Sequence, residues 1–311
     1  MVENKQDALV RAYATLSSLR KNIMSSDFSE RYVHEYHAML DRLEGIGIEI
    51  SEFRIPTSEV NPRVISINTL TGETSYSKEK YVSKAFILKV GAVIVAAGES
   101  HRMGGVDKVF ALLGGKPVLA RVIDAFQGCN SIDQIVVVVT RENLDRCRQL
   151  VAEEGWSKPI EVCAGGRRRQ DSVAAGLSRL SQCQWVVVHD GARPLLTADL
   201  IERGLEAAGE TGAAVAAVPV TDTVKVAGDD RIVQQTPPRH NLWAVQTPQV
   251  FRFDIITEAY RQAEDEVTDD ASLVEQLGYE VKLYMGSYDN IKITTPDDLA
   301  LAEVLWQKHE K

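Results

Sequence analysis

The sequence predicts a doubly wound α/β domain with a mostly parallel sheet, and three observations indicate it. Short apolar runs rich in β-branched residues recur along the chain: GAVIVAA, QIVVVVT, QWVVVHD and AAVAAVPV. Strands that are covered on both faces have this composition. Segments with helical spacing lie between the runs, at 118–127, 144–154, 172–180 and 199–208. Such alternation is typical of a parallel sheet with helices on both faces.

The region before this domain has a different pattern. Apolar residues near helical spacing predict two helices, within 4–24 and 26–45, which together would form a helical hairpin. A mixed stretch with several prolines follows. We therefore predict an N-terminal helical appendage over residues 1–85 and a second domain over residues 88–311. Oligomerisation, packing against the second domain and docking of another protein all remain open as roles of the appendage.

Composition excludes several classes of function. The net charge of −9 and the pI near 5.3 argue against nucleic acid and anionic membranes as partners. The four cysteines form no CxxC pair, so zinc and redox motifs are not indicated. No apolar run approaches the ~20 residues that span a bilayer, and the first residues lack the apolar region of a signal peptide. We expect a cytoplasmic protein.

A glycine-rich loop follows the first strand of the predicted sheet. In AAGESHRMGGVDK, residues 96–108, glycines allow a sharp turn and let backbone amides face a bound anion. Arg102 adds a bidentate donor and Lys108 a mobile point charge. The loop matches neither GxxxxGK[ST] nor GxGxxG. Donors that converge in this way suit a polyphosphate, although a surface loop with two solvated cations would have the same composition.

Other polar segments also follow predicted strands. AGGRRRQDS and HDGARP lie where ligands of such sheets bind, beyond the carboxyl ends of the strands. The run Arg167–Arg169 suits phosphate steering or a solvated surface equally. For His189, Trp185 and Trp243 we expect packed positions rather than roles in chemistry. TVKVAGDDRIVQQT predicts a hairpin around a GDD turn, within a projecting arm at 219–242.

Seven segments in register carry a family resemblance. AAG-x-S-x-R-M, GGRRRQDSV, VVVHDGARP, PVTDTVK, WAVQTPQVF, VTDDASLVE and DNIKITTPDDLALAE together resemble the 2-C-methyl-D-erythritol 4-phosphate cytidylyltransferases over about residues 90–308. The resemblance implies a Rossmann-like nucleotidyltransferase fold. It also implies Mg²⁺-dependent transfer of CMP from CTP to a polyol phosphate, and a homodimer formed through the arm.

The resemblance also implies roles for individual residues. Catalytic roles fall on four cations: Arg102, Lys108, Arg239 and Lys292. The first two match the pair that stabilises charge on the α-phosphate, and Arg239 would complete the partner subunit's site. Nucleotide binding falls on Ala96, Ala97, Gly98, Gly166, Asp171 and Ser172. Acceptor binding falls on Asp190, Gly191, Arg193, Thr223, Thr247 and Thr268. Asp190 could hold Mg²⁺, directly or through water, or form a salt bridge to Arg193.

The sequence departs from the family pattern within the first loop. Asp107 stands where the family commonly has proline, and Val109 and Phe110 replace the usual glutamine and aromatic residue. A carboxylate beside a triphosphate requires that its side chain point away or approach Mg²⁺. Three alternatives stay open: a ribitol-5-phosphate cytidylyltransferase, a sugar-1-phosphate or molybdopterin nucleotidyltransferase, and a non-catalytic nucleotide-binding regulator.

Overall fold

The chain divides into two compact units, Met1–Leu88 and Lys89–Lys311. The computed structural model describes residues 55–56, 81–82, 89–98, 107–263 and 267–309. In the first unit these residues form one antiparallel pair of short strands, β1 (Ile55–Pro56) and β2 (Tyr81–Val82). The predicted helical hairpin lies outside the described residues.

A seven-stranded sheet forms the centre of the second unit. Its strands are β3 (Lys89–Ala96), β6 (Gln134–Val139), β7 (Ile160–Ala164), β8 (Cys183–Asp190), β9 (Ala213–Pro219), β12 (Trp243–Arg252) and β13 (Lys282–Met285). They lie in the order β13-β9-β12-β8-β3-β6-β7. Neighbouring strands are parallel except at β12, which is antiparallel to both β8 and β9. The predicted α/β class with a mostly parallel sheet is confirmed.

Helices connect and cover these strands. They are α1 (Val118–Gly128), α2 (Leu144–Glu154), α3 (Arg169–Leu177), α4 (Ala198–Thr211), α5 (Phe253–Gln262), α6 (Asp270–Gln276) and α7 (Pro296–His309). The sequence predicted α3 at 172–180, but it begins at Arg169 because the Asp171 carboxylate accepts the backbone N–H of Arg168 and caps the helix there. Among the described residues no helix has the length and apolar character needed to cross a bilayer.

Both faces of the sheet are covered. Val93 of β3 and Val138 of β6 pack with Val173 of α3 in one apolar cluster. Their neighbours Ile94 and Val137 point to the opposite face, because successive strand residues alternate, and both are also fully buried. Burial on both sides explains why these strands are apolar at every position rather than at every second one.

The sequence did not predict β12 as a strand. Pro248 and the two flanking glutamines, Gln246 and Gln249, interrupt its apolar pattern, and its pairing with β9 shifts register between Val245 and Gln249. Yet Gln246 and Gln249 are both buried. Their side-chain amides donate hydrogen bonds to Ser287 and Asp269 of neighbouring loops. These bonds offset the cost of burying the amides, so two polar residues can stand in an interior strand.

The predicted hairpin projects as an arm between β9 and β12. Strands β10 (Val226–Ala227) and β11 (Val233–Gln235) pair antiparallel around the GDD turn, which confirms it. A smaller hairpin, β4 (Leu112–Leu113) with β5 (Lys116–Pro117), precedes α1. Trp185 is buried as expected, but the packed position predicted for Trp243 is wrong, since this residue is 37% exposed at the start of β12.

Gly176 of α3 allows the helix to approach the sheet closely. A Cβ at this position would lie 2.4 Å from Cγ1 of Val93. We expect Gly176→Ala to lower the free energy of unfolding by ~1–3 kcal/mol through overpacking, more than the gain in helix propensity of about 1 kcal/mol. Denaturant unfolding measures this. Gly128→Ala is the matched control, because a Cβ there meets nothing within 4 Å. Equal midpoints for the two variants would contradict the prediction.

Candidate active site

A cavity of about 340 Å³ opens beyond the carboxyl ends of β3, β7 and β8. Its lining includes many residues that the sequence singled out: Ala96, Ala97, Gly98, Lys108, Gly166, Arg167, Arg168, Arg169, Ser172, Asp190 and Lys292. Cations therefore outnumber carboxylates in the lining, and the cavity suits a ligand with several negative charges.

Lys108 lies directly beside the end of β3. A Cβ built on Gly98 would be 3.6 Å from its Nζ, an ordinary contact distance, so the ammonium group lies next to this residue. The segment that joins them contains Arg102, which lies outside the described residues. Lys108 and the end of β3 are thus adjacent at the cavity wall.

Asp190 ends β8 and is surrounded by three cations. Its Oδ2 lies 2.8 Å from Nζ of Lys292 and 3.5 Å from Nε of Arg193, and its Oδ1 lies 3.4 Å from Nε of Arg169. Burial acts to raise the pKa of Asp190, but these cations, Lys292 foremost, hold it well below its ordinary value. The carboxylate is ionised and orders the cations around it.

Two hydrogen bonds to backbone carbonyls fix the segment that carries Lys292. Nη1 of Arg193 donates to the carbonyl of Asn290 at 2.7 Å, and the N–H of Ile293 donates to the carbonyl of Ala192 at 2.8 Å. The loop after β8 and the segment before α7 are therefore joined on both sides of Lys292. This joining brings Lys292 to Asp190.

The three arginines of the run have different contacts. Arg169 makes two bonds of 2.8 Å to the carboxylate of Asp270, which is fully buried and also accepts from Tyr260. Arg168 pairs with Asp171 at 2.6 Å, and this pairing lowers the pKa of Asp171. Arg167 is exposed in the cavity lining. One arginine is thus held in the cavity wall, one pairs with the carboxylate that caps α3, and one is open to solvent.

The glycine loop before α3 leaves no space for side chains. A Cβ on Gly165 would lie 2.5 Å from Cβ of Ala97, and one on Gly166 would lie 2.3 Å from Cβ of Asp171. The Ser172 hydroxyl accepts the N–H of Gly166 at 3.2 Å. Ser172 therefore ties the loop to the first turn of α3, in addition to lining the cavity.

His189 belongs to a buried chain of hydrogen bonds beneath Asp190. Its Nε2 lies 3.1 Å from the Arg193 carbonyl, which only accepts, so Nε2 carries the proton. Its Nδ1 then accepts from the Thr247 hydroxyl at 3.1 Å, and that hydroxyl accepts the Asp190 N–H at 3.0 Å. The expectation of a packed, hydrogen-bonded histidine is confirmed.

Comparisons with known proteins identify the family of this chain. The family model described as IspD, 2-C-methyl-D-erythritol 4-phosphate cytidylyltransferase, matches residues 90–308. A curated protein of that name from Dehalococcoides mccartyi (strain 195) is 56% identical over 220 residues, which cover 71% of this chain and 97% of the relative. The chain belongs to this family.

Two solved structures share the fold of the IspD family. 4-Diphosphocytidyl-2C-methyl-D-erythritol synthase from Anaerococcus prevotii superposes with a TM-score of 0.65 at 32% identity, covering 71% of this chain and 97% of that one. The 2-C-methyl-D-erythritol 4-phosphate cytidylyltransferase from Thermus thermophilus gives 0.57 at 35% identity, covering 70% and 99%. The Rossmann-like nucleotidyltransferase fold implied by the resemblance is confirmed.

Several residues that the family pattern assigned lie outside the cavity lining. Gly191 packs against β3, where a Cβ would be 2.8 Å from that of Ala96. Thr247 is buried beneath Asp190. Thr223 and Arg239 are exposed in the arm, and Nη1 of Arg239 donates to the Thr221 carbonyl at 2.8 Å. Thr268 is exposed before α6, whose N-cap is Asp269.

Sequence reasoning missed three residues that shape the site. Asp270 and Asn290 stand inside quoted family segments, but they contact arginines 101 and 97 positions away. Asn143, which bonds to Asp107, stands in a polar stretch with no motif. The first two carried a signal in the register of their motifs, whereas nothing local marked Asn143.

The donors around the cavity do not form a metal site by themselves. Among the described residues no cluster of three His, Cys, Asp or Glu side chains could hold an ion, and Asp190 is the carboxylate in the lining. Mg²⁺ prefers one or two carboxylates together with water and substrate phosphates. The site therefore fits an ion that enters with a polyphosphate, rather than one that the protein holds alone.

Protonation of His189 should account for part of the loss of unfolding free energy at acid pH. Burial lowers its pKa from 6.5 to about 4, so between these values the unfolded chain binds a proton that the native protein excludes. Stability is then lost as the pH falls through this window, by ~1.36 kcal/mol per pKa unit or about 3 kcal/mol in all. Unfolding free energies of wild type and His189→Gln across this range test it. The difference between them should shrink toward pH 4, whereas parallel curves would contradict the assignment.

Proposed function

We propose that this protein transfers CMP from CTP to 2-C-methyl-D-erythritol 4-phosphate, giving CDP-methylerythritol and pyrophosphate in non-mevalonate isoprenoid synthesis. The observation that carries the proposal is the cavity at the strand ends, where Lys108, Lys292 and the arginine run face one space. Membership of the cytidylyltransferase family identifies the donor and the acceptor.

The chemistry requires no protein nucleophile. A phosphate oxygen of the acceptor attacks the α-phosphorus of CTP, and the bond to the β,γ-pyrophosphate breaks in line. Catalysis then consists of positioning and charge neutralisation, which suits a lining rich in cations. Lys108, together with Arg102, stabilises the charge on the pentacoordinate phosphorus. The ends of β3 and the glycine loop bind the nucleotide through Ala96, Ala97, Gly98, Gly166, Asp171 and Ser172.

The acceptor binds on the Asp190 side of the cavity. Lys292, held 2.8 Å from Asp190, is ordered before the substrate arrives and contacts its phosphate. Thr247 acts through Asp190, because its hydroxyl is already bonded to that residue's N–H. Gly191 and Arg193 lie behind the lining, where Arg193 contacts Asp190 and the Asn290 carbonyl, while Thr223, Thr268 and the partner's copy of Arg239 complete the acceptor site.

Mg²⁺ is proposed to enter as part of the CTP complex. The positive charge of the ion would offset part of the triphosphate charge, and Asp190, the carboxylate in the cavity lining, would hold it directly or through water. We expect pyrophosphate release to stop when EDTA exceeds Mg²⁺, and to resume when Mg²⁺ is restored. Undiminished release in EDTA would remove the ion from the proposal.

The arm is proposed to join two copies of the chain. In the arm Val226, Ile232 and Val233 are 42%, 66% and 54% exposed, and Val245, near the start of β12, is 44% exposed. Exposed apolar side chains that lie together are typical of protein–protein contacts. Light scattering should give twice the chain mass of 34.4 kDa, and Ile232→Asp should lower it. A monomeric wild type would refute the dimer.

The free thiols of all four cysteines suit the reducing cytoplasm, where we expect the protein to act.

Pyrophosphate release with CTP and each candidate acceptor tests the function. Release with methylerythritol phosphate, and little with ribitol 5-phosphate, supports the proposal. The reverse preference would identify a ribitol-5-phosphate cytidylyltransferase, and preference for UTP or GTP would favour the other nucleotidyltransferases. CTP binding without release would favour a non-catalytic regulator.

A further inference from the structure

Asp107 is tied into the turn that carries Lys108. Its carbonyl accepts the N–H groups of Phe110 and Ala111 at 3.1 and 3.0 Å, and its Oδ1 accepts the N–H of Val109 at 3.2 Å. The Asp107 carboxylate therefore bonds to the residue that follows Lys108, so both chain neighbours of Lys108 are held together. With these three hydrogen bonds in place, the backbone of Lys108 has little freedom to rotate.

A second contact ties this turn to the sheet. Nδ2 of Asn143 donates to Oδ2 of Asp107. Asn143 ends the short 3₁₀ turn after β6 and immediately precedes α2, and β6 is the parallel neighbour of β3. Arg146 of α2 also lies over the ring of Phe110, 4.1 Å from its centroid. The turn is thus attached to β6 and α2 as well as to its own strand.

We propose that Asp107 and Asn143 act as a positioning pair for Lys108. The pair fixes the backbone from which the ammonium reaches the reacting phosphate, and it uses both oxygens of a carboxylate that would otherwise repel the triphosphate. The inference rests on the proposed function, since it assigns how one of its cations is placed. Neither side chain lines the cavity, so the pair acts through Lys108.

Exchanging the two side chains tests the pair. Asn143→Asp alone sets two carboxylates against each other and should lower kcat roughly 10-fold, within the ~10²-fold that a 1 Å misplacement can cost. The double variant Asp107→Asn with Asn143→Asp restores a donor–acceptor pair, because the new amide donates to the new carboxylate and still accepts from Val109. Its kcat should return to within about threefold of wild type.

The readouts separate positioning from general destabilisation. KM for CTP should change less than kcat in Asn143→Asp, because an interaction that matters in the transition state is lost. Thermal unfolding is measured for every variant. Asp145→Asn is the matched control on α2, where an exposed carboxylate pairs with Arg148, and its kcat should equal that of wild type.

The outcomes are distinct from those of the function assay. An inactive wild type would refute the proposed function itself. An active wild type with an equally active Asn143→Asp would overturn the positioning pair. So would a double variant that is no faster than Asn143→Asp, or losses that follow the melting temperature alone.

Discussion

Replacing Lys108 with alanine is expected to lower kcat/KM for CMP transfer by about 10²–10³-fold. Removal of one preorganised donor from developing negative charge typically costs ~2.7–4 kcal/mol, and Lys108 stands in the cavity wall beside the end of β3. We expect the ammonium group to stabilise the transition state more than it stabilises bound CTP. The loss should therefore be in kcat rather than in KM. Pyrophosphate release under saturating CTP and acceptor measures it.

Lys308→Ala is the control for this experiment. Its ammonium is 3.6 Å from the Asp289 carboxylate, and its side chain is 70% exposed near the end of α7. Its removal should leave kcat/KM within about twofold of wild type, since exposed pairs contribute little. Equal rates for wild type and Lys108→Ala would exclude Lys108 from the reaction.

Asp270→Ala is expected to have the largest effect on stability. The substitution leaves the Arg169 guanidinium without its two 2.8 Å bonds and the Tyr260 hydroxyl without its acceptor. Breaking a buried pair costs ~3–5 kcal/mol. Because the Arg169 side chain keeps 29% of its surface exposed, water recovers part of this, and we expect about 3 kcal/mol. Urea unfolding measures the change.

Asp254→Ala provides the comparison. Its carboxylate also pairs with an arginine, Arg252, but is 61% exposed, so its loss should cost no more than about 1 kcal/mol. Asp270→Ala should in addition weaken CTP binding, because Arg169 lines the cavity and also contacts Asp190. Equal destabilisation by the two variants would show that burial of Asp270 contributes nothing.

The sequence predicted the fold where local pattern determines structure. Strands β3, β6, β8 and β9 contain continuous apolar runs, because burial on both faces leaves a composition that can be recognised in one window. Helix α2 was predicted at its observed bounds from helical spacing. Strand β12 was missed, since its buried glutamines are satisfied by partners far along the chain. No local window contains those partners.

The part of the site that lies on loops after strands could be predicted from the sequence. Lys108, Asp190 and Lys292 were identified from loops after strands and from motif register, and the structure brings all three to one cavity. The pairing of Arg169 with Asp270 joins residues 101 positions apart. It depends on the packing of α6 against the sheet, so it required the folded chain.

The course of β12 has a consequence for the arm. This strand starts at Trp243, opposite Pro219, and four residues later presents the Thr247 hydroxyl to the N–H of Asp190, a span of about 13 Å at strand geometry. The first residues of β12, Trp243–Val245, pair with the end of β9, whereas the pairing of β12 with β8 covers Gln249–Arg252. The arm therefore leaves the sheet on a two-stranded ribbon formed by β9 and β12. The strand that supports Asp190 thus also sets the direction in which the arm leaves the sheet.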